Sequence, residues 1–149
     1  MITAIIFDFA GTLFDYGTQD LFPESNGILT YCSKKYTLAL CSLAMSESAQ
    51  RRQERIVQYG FPHYFQIIKV GGDGNKDRLY KEIVQELGIP FSQIVIVDDR
   101  TVRGISWGNR HGCTTIWLKK GKFSNELPNK ETGQPKYTIT ELAELKNIL

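Results

Sequence analysis

The chain has 149 residues, 18 of them Lys or Arg and 16 Asp or Glu, for a formal net charge of +2. That length suits one domain over residues 1–149 with a sizeable core, and the balanced charge gives no electrostatic case for a nucleic-acid or membrane partner. Cys32, Cys41 and Cys113 show no CxxC spacing, which argues against a zinc site or disulfide frame and for reduced thiols in a cytoplasm. The N-terminus lacks the basic start of a signal peptide, and no apolar segment approaches the roughly 20 residues of a membrane helix. The expectation is a soluble, cytoplasmic protein.

In chain order, Ile2–Phe7 is an apolar run that delivers Asp8 into a turn at Gly11-Thr12, with Ala10 between them. Pro23 to Lys34 can form a helix before a second run, Tyr36–Cys41, after which stands Ser42. A helix is expected from Ser46, as N-cap, to about Tyr59, with Gly60 as its stop. Phe65–Val70 reads as a shorter strand. The loop Gly71 to Asn75 leads to Lys76, and Asp77–Leu87 places Leu79, Ile83, Val84 and Leu87 on one helical face before Gly88 and Pro90. Ile94–Val97 is a strand followed by Asp98-Asp99. Thr101 to His111 is helical in pattern and Thr114–Leu118 is a strand.

Lys119-Lys120-Gly121-Lys122 reads as a solvated loop opening a surface excursion to Lys136. The tail from Thr140 carries Leu142, Leu145 and Ile148 at helical spacing. His63 and His111 read as structural or exposed, and Trp107 and Trp117 as packing residues. The apolar runs lack two-residue alternation, as strands buried on both faces of a parallel sheet do. Strands alternating with helices predict a doubly wound, mainly parallel α/β sheet flanked by helices.

In such sheets ligands bind beyond the carboxyl ends of the strands, where the winding reverses. Asp8, Ser42 and Asp98-Asp99 all follow apolar runs, and Lys76 opens a helix. Together they suit phosphoryl transfer. A carboxylate can attack phosphorus, and neighbouring acids would repel the incoming dianion unless a divalent cation such as Mg²⁺ neutralised them. A hydroxyl, an ammonium and backbone N–H groups at Gly11 and Thr12 can hold phosphate oxygens.

Residues 8–13, DFAGTL, resemble the first motif of the haloacid dehalogenase superfamily, normally Asp-x-Asp-Gly-Thr-Leu or -Val. KYTLALCS resembles the second motif, Lys76 the third-motif lysine, and IVIVDD the fourth motif. GCTTIWLKKG and YTITELAELKNIL look like the last strand and closing helix. The resemblance implies a Rossmann-like core in which Asp8 is the nucleophile and an Mg²⁺ ligand. It also implies that Ala10 offers its backbone carbonyl to the metal, that Ser42 and Lys76 bind the phosphoryl group, and that Asp98 and Asp99 hold the metal directly or through water.

Each residue also has a plainer reading: Asp8 as a turn former, Asp98-Asp99 as a helix cap, Lys76 as a solvated lysine, Ser42 as an ordinary strand-end serine. Their combination favours the site. Ala10 stands where the resemblance places the acid that protonates the leaving oxygen and then activates water. Three functions follow: a slow phosphohydrolase of phosphomonoesters or acyl phosphates; a silent Mg²⁺- and phosphate-binding pseudoenzyme; and a phosphonate hydrolase, which would need a cap-borne lysine. Phe14 to Lys35 is too short for a cap domain. The implied site is open, suited to macromolecular phosphates or to cover by another copy of the chain. Beyond Asp99, where relatives often place another acid, the sequence has Val102, Arg103 and Gly104.

Overall fold

A computed structural model describes residues 1–149. Six strands form one parallel sheet: β1 (Ala4–Asp8), β4 (Thr37–Leu43), β5 (Ile67–Gly71), β6 (Ile94–Asp98), β7 (Thr114–Leu118) and β8 (Tyr137–Ile139). Their spatial order is β5-β4-β1-β6-β7-β8. The chain therefore winds outward from β1 in one direction, then returns to β1's other side and winds outward again. β1 pairs with β4 and β6 in parallel, Phe7 lying beside Leu40 and Val97. The reversal of winding, and hence the crevice, falls at the carboxyl ends of β1 and β6.

Successive residues of each strand enter opposite layers of the core, which explains the unbroken apolar runs. Ile5, Phe7, Leu38, Leu40, Val95 and Val97 meet α1 (Ser25–Ser33) and α2 (Ala49–Gln58) on one face. Ile6, Ala39, Cys41, Ile94 and Ile96 meet α3 (Lys76–Leu87) and α4 (Ser106–His111) on the other. Trp107 and Trp117 are buried, as expected of packing residues. None of the helices is long and apolar enough to cross a membrane.

The second strand runs on to Leu43, so Ser42 lies inside it, paired beside Val70, rather than after it. The helix expected from Ser46 begins at Ala49, because Ser48 is extended and its Oγ accepts the Arg51 N–H at 3.1 Å. The helix expected over 101–111 is divided: Thr101–Ile105 is a π-helical turn and only Ser106–His111 is α-helical. The closing helix is a 3₁₀ turn, Leu142–Asn147, opened by a capping box between Glu141 and Glu144. A small hairpin, β2 (Phe14–Asp15) and β3 (Asp20–Leu21), follows the first loop. Tyr16–Gln19 join its strands directly, leaving no inserted cap there.

Candidate active site

Asp8 ends β1, Asp98 ends β6, and Asp99 follows it; the three carboxylates offer oxygens that all lie within 4.8 Å of one another. All three residues are buried. Lys76, the first residue of α3, reaches under them: Nζ donates to Asp8 Oδ1 at 2.8 Å and Asp98 Oδ2 at 3.0 Å. Thr12 Oγ1 donates to Asp8 Oδ2 at 2.9 Å. Four residues of the sequence reading, Asp8, Lys76, Asp98 and Asp99, are thus brought together from three distant segments.

Asp98 is the best supported of the acids. Besides Lys76, its Oδ2 accepts from Tyr80 Oη at 3.1 Å and from the Gly104 N–H at 2.9 Å, and its Oδ1 accepts from the Arg100 N–H at 3.0 Å. Burial works to raise its carboxyl, but Lys76 and the Arg100 N–H outweigh it and hold Asp98 below the ordinary range. Asp8 shares the same lysine yet moves the other way. Burial dominates and raises it, because it has two donors where Asp98 has four. Burial also works to lower the Lys76 ammonium, and the charges of Asp8 and Asp98 overcome it, holding Lys76 above its usual value.

Asp99 differs from both. Burial, then the charges of Asp8 and Asp98, push its carboxyl up to about 10. Its Oδ1 is buried without a hydrogen-bond partner. An orphaned oxygen beside two other carboxylates, with only one lysine between them, is an arrangement that a hard divalent cation completes. The donor set therefore fits such an ion. The backbone leaves no slack here: a Cβ on Gly11, which sits at φ +84°, would overlap the Asp99 carboxylate and lie 2.7 Å from its Cγ. Trp117 Nε1 fixes the Asp99 carbonyl at 3.0 Å.

Three of the expected phosphate contacts, at Gly11, Thr12 and Ser42, are placed otherwise. The Gly11 N–H donates to the Phe14 carbonyl at 2.8 Å and the Thr12 N–H to the Phe9 carbonyl at 3.2 Å. These groups are consumed by the turn that delivers Asp8 and are not exposed to a ligand. Ser42 is fully buried, and its Oγ accepts from Arg52 Nη1 at 2.8 Å. Arg52 is itself buried, paired with Glu47 at 2.7 Å and stacked on Phe9.

Above the acids opens a cleft of about 290 Å³ with Asp8, Ala10 and Lys76 on its floor. Tyr16, Leu43, Met45, Ser46 and Phe123 line it with uncharged groups. Arg100, Arg103 and Lys122 line it with cations. Lys119 and Lys122 are exposed, as expected of a solvated loop, while Lys122 also borders the cleft and Lys120 pairs with Glu141 at 2.6 Å. Sequence reasoning gives no site role to Tyr80, Arg52, Arg100 or Arg103. Only Tyr80 left a signal, four residues after Lys76 and so on the same face of α3.

Residues 76–145 match the family model for HAD-hydrolase-like proteins. The chain is 24% identical over 105 residues to a glyceraldehyde 3-phosphate phosphatase from Methanopyrus kandleri, covering 68% of this chain and 45% of that protein. A protein of the same name from Pyrococcus furiosus is 25% identical over 104 residues, covering 66% and 42% respectively. The chain spans less than half the length of these curated relatives. Among solved structures, YfnB from Bacillus subtilis, described as a HAD-hydrolase bound to magnesium, aligns with a TM-score of 0.81 at 12% identity, over 99% of this chain and 98% of that one. L-2-haloacid dehalogenase from Xanthobacter autotrophicus gives 0.79 at 12% identity, over 99% and 98%. At such identity these are likenesses of fold.

Proposed function

We propose that this chain, which has the haloacid dehalogenase-like fold and carries a HAD-hydrolase-like segment, is a metal-dependent phosphohydrolase that works through Asp8. The observation that carries the reading is the convergence of Asp8, Asp98 and Asp99, with Lys76 bonded to Asp8 and Asp98, at a cleft lined by Asp8 and Lys76. The names of the curated relatives support a phosphorylated substrate.

In the proposed reaction, an Asp8 oxygen forms a bond to phosphorus as the ester or acyl P–O bond breaks. Lys76 holds the phosphoryl oxygens against the nucleophile and offsets their charge. Ser42 is fully buried, accepts from Arg52 and does not line the cleft, so Lys76 carries the phosphate contact. Mg²⁺ held by Asp8, Asp98, Asp99 and the Ala10 carbonyl would neutralise the buried acids and the incoming dianion.

The leaving oxygen takes its proton from water, because the Ala10 side chain has none to give. Water then cleaves the aspartyl phosphate without a positioned base. General acid–base help is worth ~10²–10⁴ in rate, so turnover is slow and good leaving groups such as acyl phosphates are favoured. Three free cysteines fit a reducing, cytoplasmic setting.

Ala10 also favours a second reading, a binder of Mg²⁺ and phosphorylated ligand without turnover. Phosphate release from a panel of monoesters and acyl phosphates separates the two. Slow release that needs Mg²⁺ and vanishes in Asp8→Asn supports the enzyme. No Asp8-dependent release, with ligand affinity retained in calorimetry, supports the binder.

A further inference from the structure

The cleft above Asp8 carries more positive charge than its own ion pairs consume. Lys76 serves the floor, bonded to Asp8 and Asp98 and assigned above to the transferred phosphate, and Arg100 pairs with Glu126 at 3.0 Å. Arg103 and Lys122 line the same cleft, and neither forms an ion pair with any acid of the chain. Asp73 and Asp77 share a shallow depression with Arg103. They are already taken, by Arg78 at 3.1 Å and Arg110 at 3.2 Å.

The scaffold that places the acids also places these two cations. Arg103 projects from the π-helical turn whose next residue, Gly104, donates its N–H to Asp98. Lys122 lies in the 3₁₀ turn Gly121–Phe123. That turn is tied back by Phe123, which packs 3.8 Å under the Arg100 guanidinium, while Glu126 grips both Arg100 and Thr101. The remaining residues that line the cleft beyond its floor, Tyr16, Leu43, Met45, Ser46 and Phe123, carry no charge. A ligand seated on Asp8 therefore shares the cleft with cations and with no further acid.

Resting on the phosphatase reading of the floor, we propose that Arg103 and Lys122 form a second anion subsite. The substrate is then a small phosphate ester whose leaving group carries another anionic group, a carboxylate or a second phosphate. The transferred phosphate is met by Lys76 at the floor, so the two unpaired cations at the rim match a further charge. A cleft of about 290 Å³ suits a small molecule that carries both anions.

The test is calorimetry in Mg²⁺ on the Asp8→Asn protein, which binds without turnover. Glycerol 3-phosphate is compared with 3-phosphoglycerate, which adds a carboxylate, and with propane-1,3-diol bisphosphate, which adds a phosphate. Arg103→Ala and Lys122→Ala are introduced singly and together. Lys119→Ala removes the same charge from an exposed position outside the cleft.

At least one doubly anionic ligand is expected to bind about tenfold or more tightly than glycerol 3-phosphate, the size of a charge-assisted hydrogen bond. The arm that does so identifies the second group. The double variant brings the ratio close to one, and Lys119→Ala preserves it. Equal affinities for all three ligands, no binding of any, or an equal effect from Lys119→Ala overturns the subsite. Phosphate release by the wild-type protein decides the phosphatase reading separately.

Discussion

Gly104→Ala probes how tightly the fold holds the acid cluster. A Cβ at that position would fall 2.5 Å from Tyr80 Oη and 2.8 Å from Asp98 Cβ, and closer still to Asp98 Oδ2, where ordinary contact is 3.4–4 Å. None of these atoms has room to retreat, since Tyr80 and Asp98 are both fully buried. The Gly104 N–H is also one of the donors on Asp98 Oδ2, at 2.9 Å. Overpacking of this kind costs ~1–3 kcal/mol, and disturbing a hydrogen bond to a charged group ~1.5–3. The two overlap at one carboxylate, giving a loss of about 2–5 kcal/mol. For a chain of this size that lowers Tm by about 5–15 °C. Thermal and urea unfolding measure it, and Mg²⁺ affinity is expected to fall at least about tenfold with the displaced ligand. Gly27→Ala is the control: it lies on α1 with nothing within 4 Å of its Cβ, and it should gain up to about 1 kcal/mol. A Gly104→Ala protein as stable as wild type, with unchanged Mg²⁺ affinity, refutes the packing argument.

Two further outcomes are expected. Ala10→Asp restores a proton donor on the cleft floor and should raise steady-state hydrolysis of alkyl phosphates by ~10²-fold or more; an unchanged rate would show that leaving-group protonation does not limit turnover. Asp99, with its carboxyl pushed up to about 10, holds a proton in the folded metal-free protein that the unfolded chain releases near pH ~4. The native state then binds more protons between those values, so metal-free stability falls as pH rises from about 6 to about 9. Asp98, which burial raises but Lys76 more than offsets, works the other way, and its contribution is lost only as pH falls through the acidic range. Since Mg²⁺ bound by Asp99 as proposed displaces that proton, saturating Mg²⁺ should raise Tm more near pH 9 than near pH 6, and a shift independent of pH would contradict the assignment.

The sheet and the acids were legible because each announces itself locally. Buried parallel strands read as unbroken apolar runs, and Asp8, Asp98 and Asp99 stand where those runs end. What escaped is set by neighbours distant in sequence. Ser42 was expected after its strand, but pairing with β5 carries β4 on to Leu43 and draws the hydroxyl inward to Arg52. Gly11 and Thr12 looked like free donors, yet Phe14 and Phe9 close the turn on them. The helix over 101–111 lost its first part to a π turn in which the Gly104 N–H points at Asp98. The strands at 14–15, 20–21 and 137–139 are too short to leave a periodic pattern. Lys122 reads as a surface charge and is exposed; what brings its turn to the cleft is Arg100, distant in sequence, packed on Phe123.

The most direct measurement is acid quenching of the wild-type protein during reaction with an acyl phosphate in Mg²⁺, followed by peptide mass analysis. On the proposed mechanism Asp8 is the nucleophile and Ala10 leaves out the group that would speed release, so a hydroxylamine-sensitive phosphoryl group should accumulate on the peptide containing Asp8, with a burst close to the enzyme concentration. Finding no phosphoryl group there, or finding it undiminished in Asp8→Asn, would contradict the account.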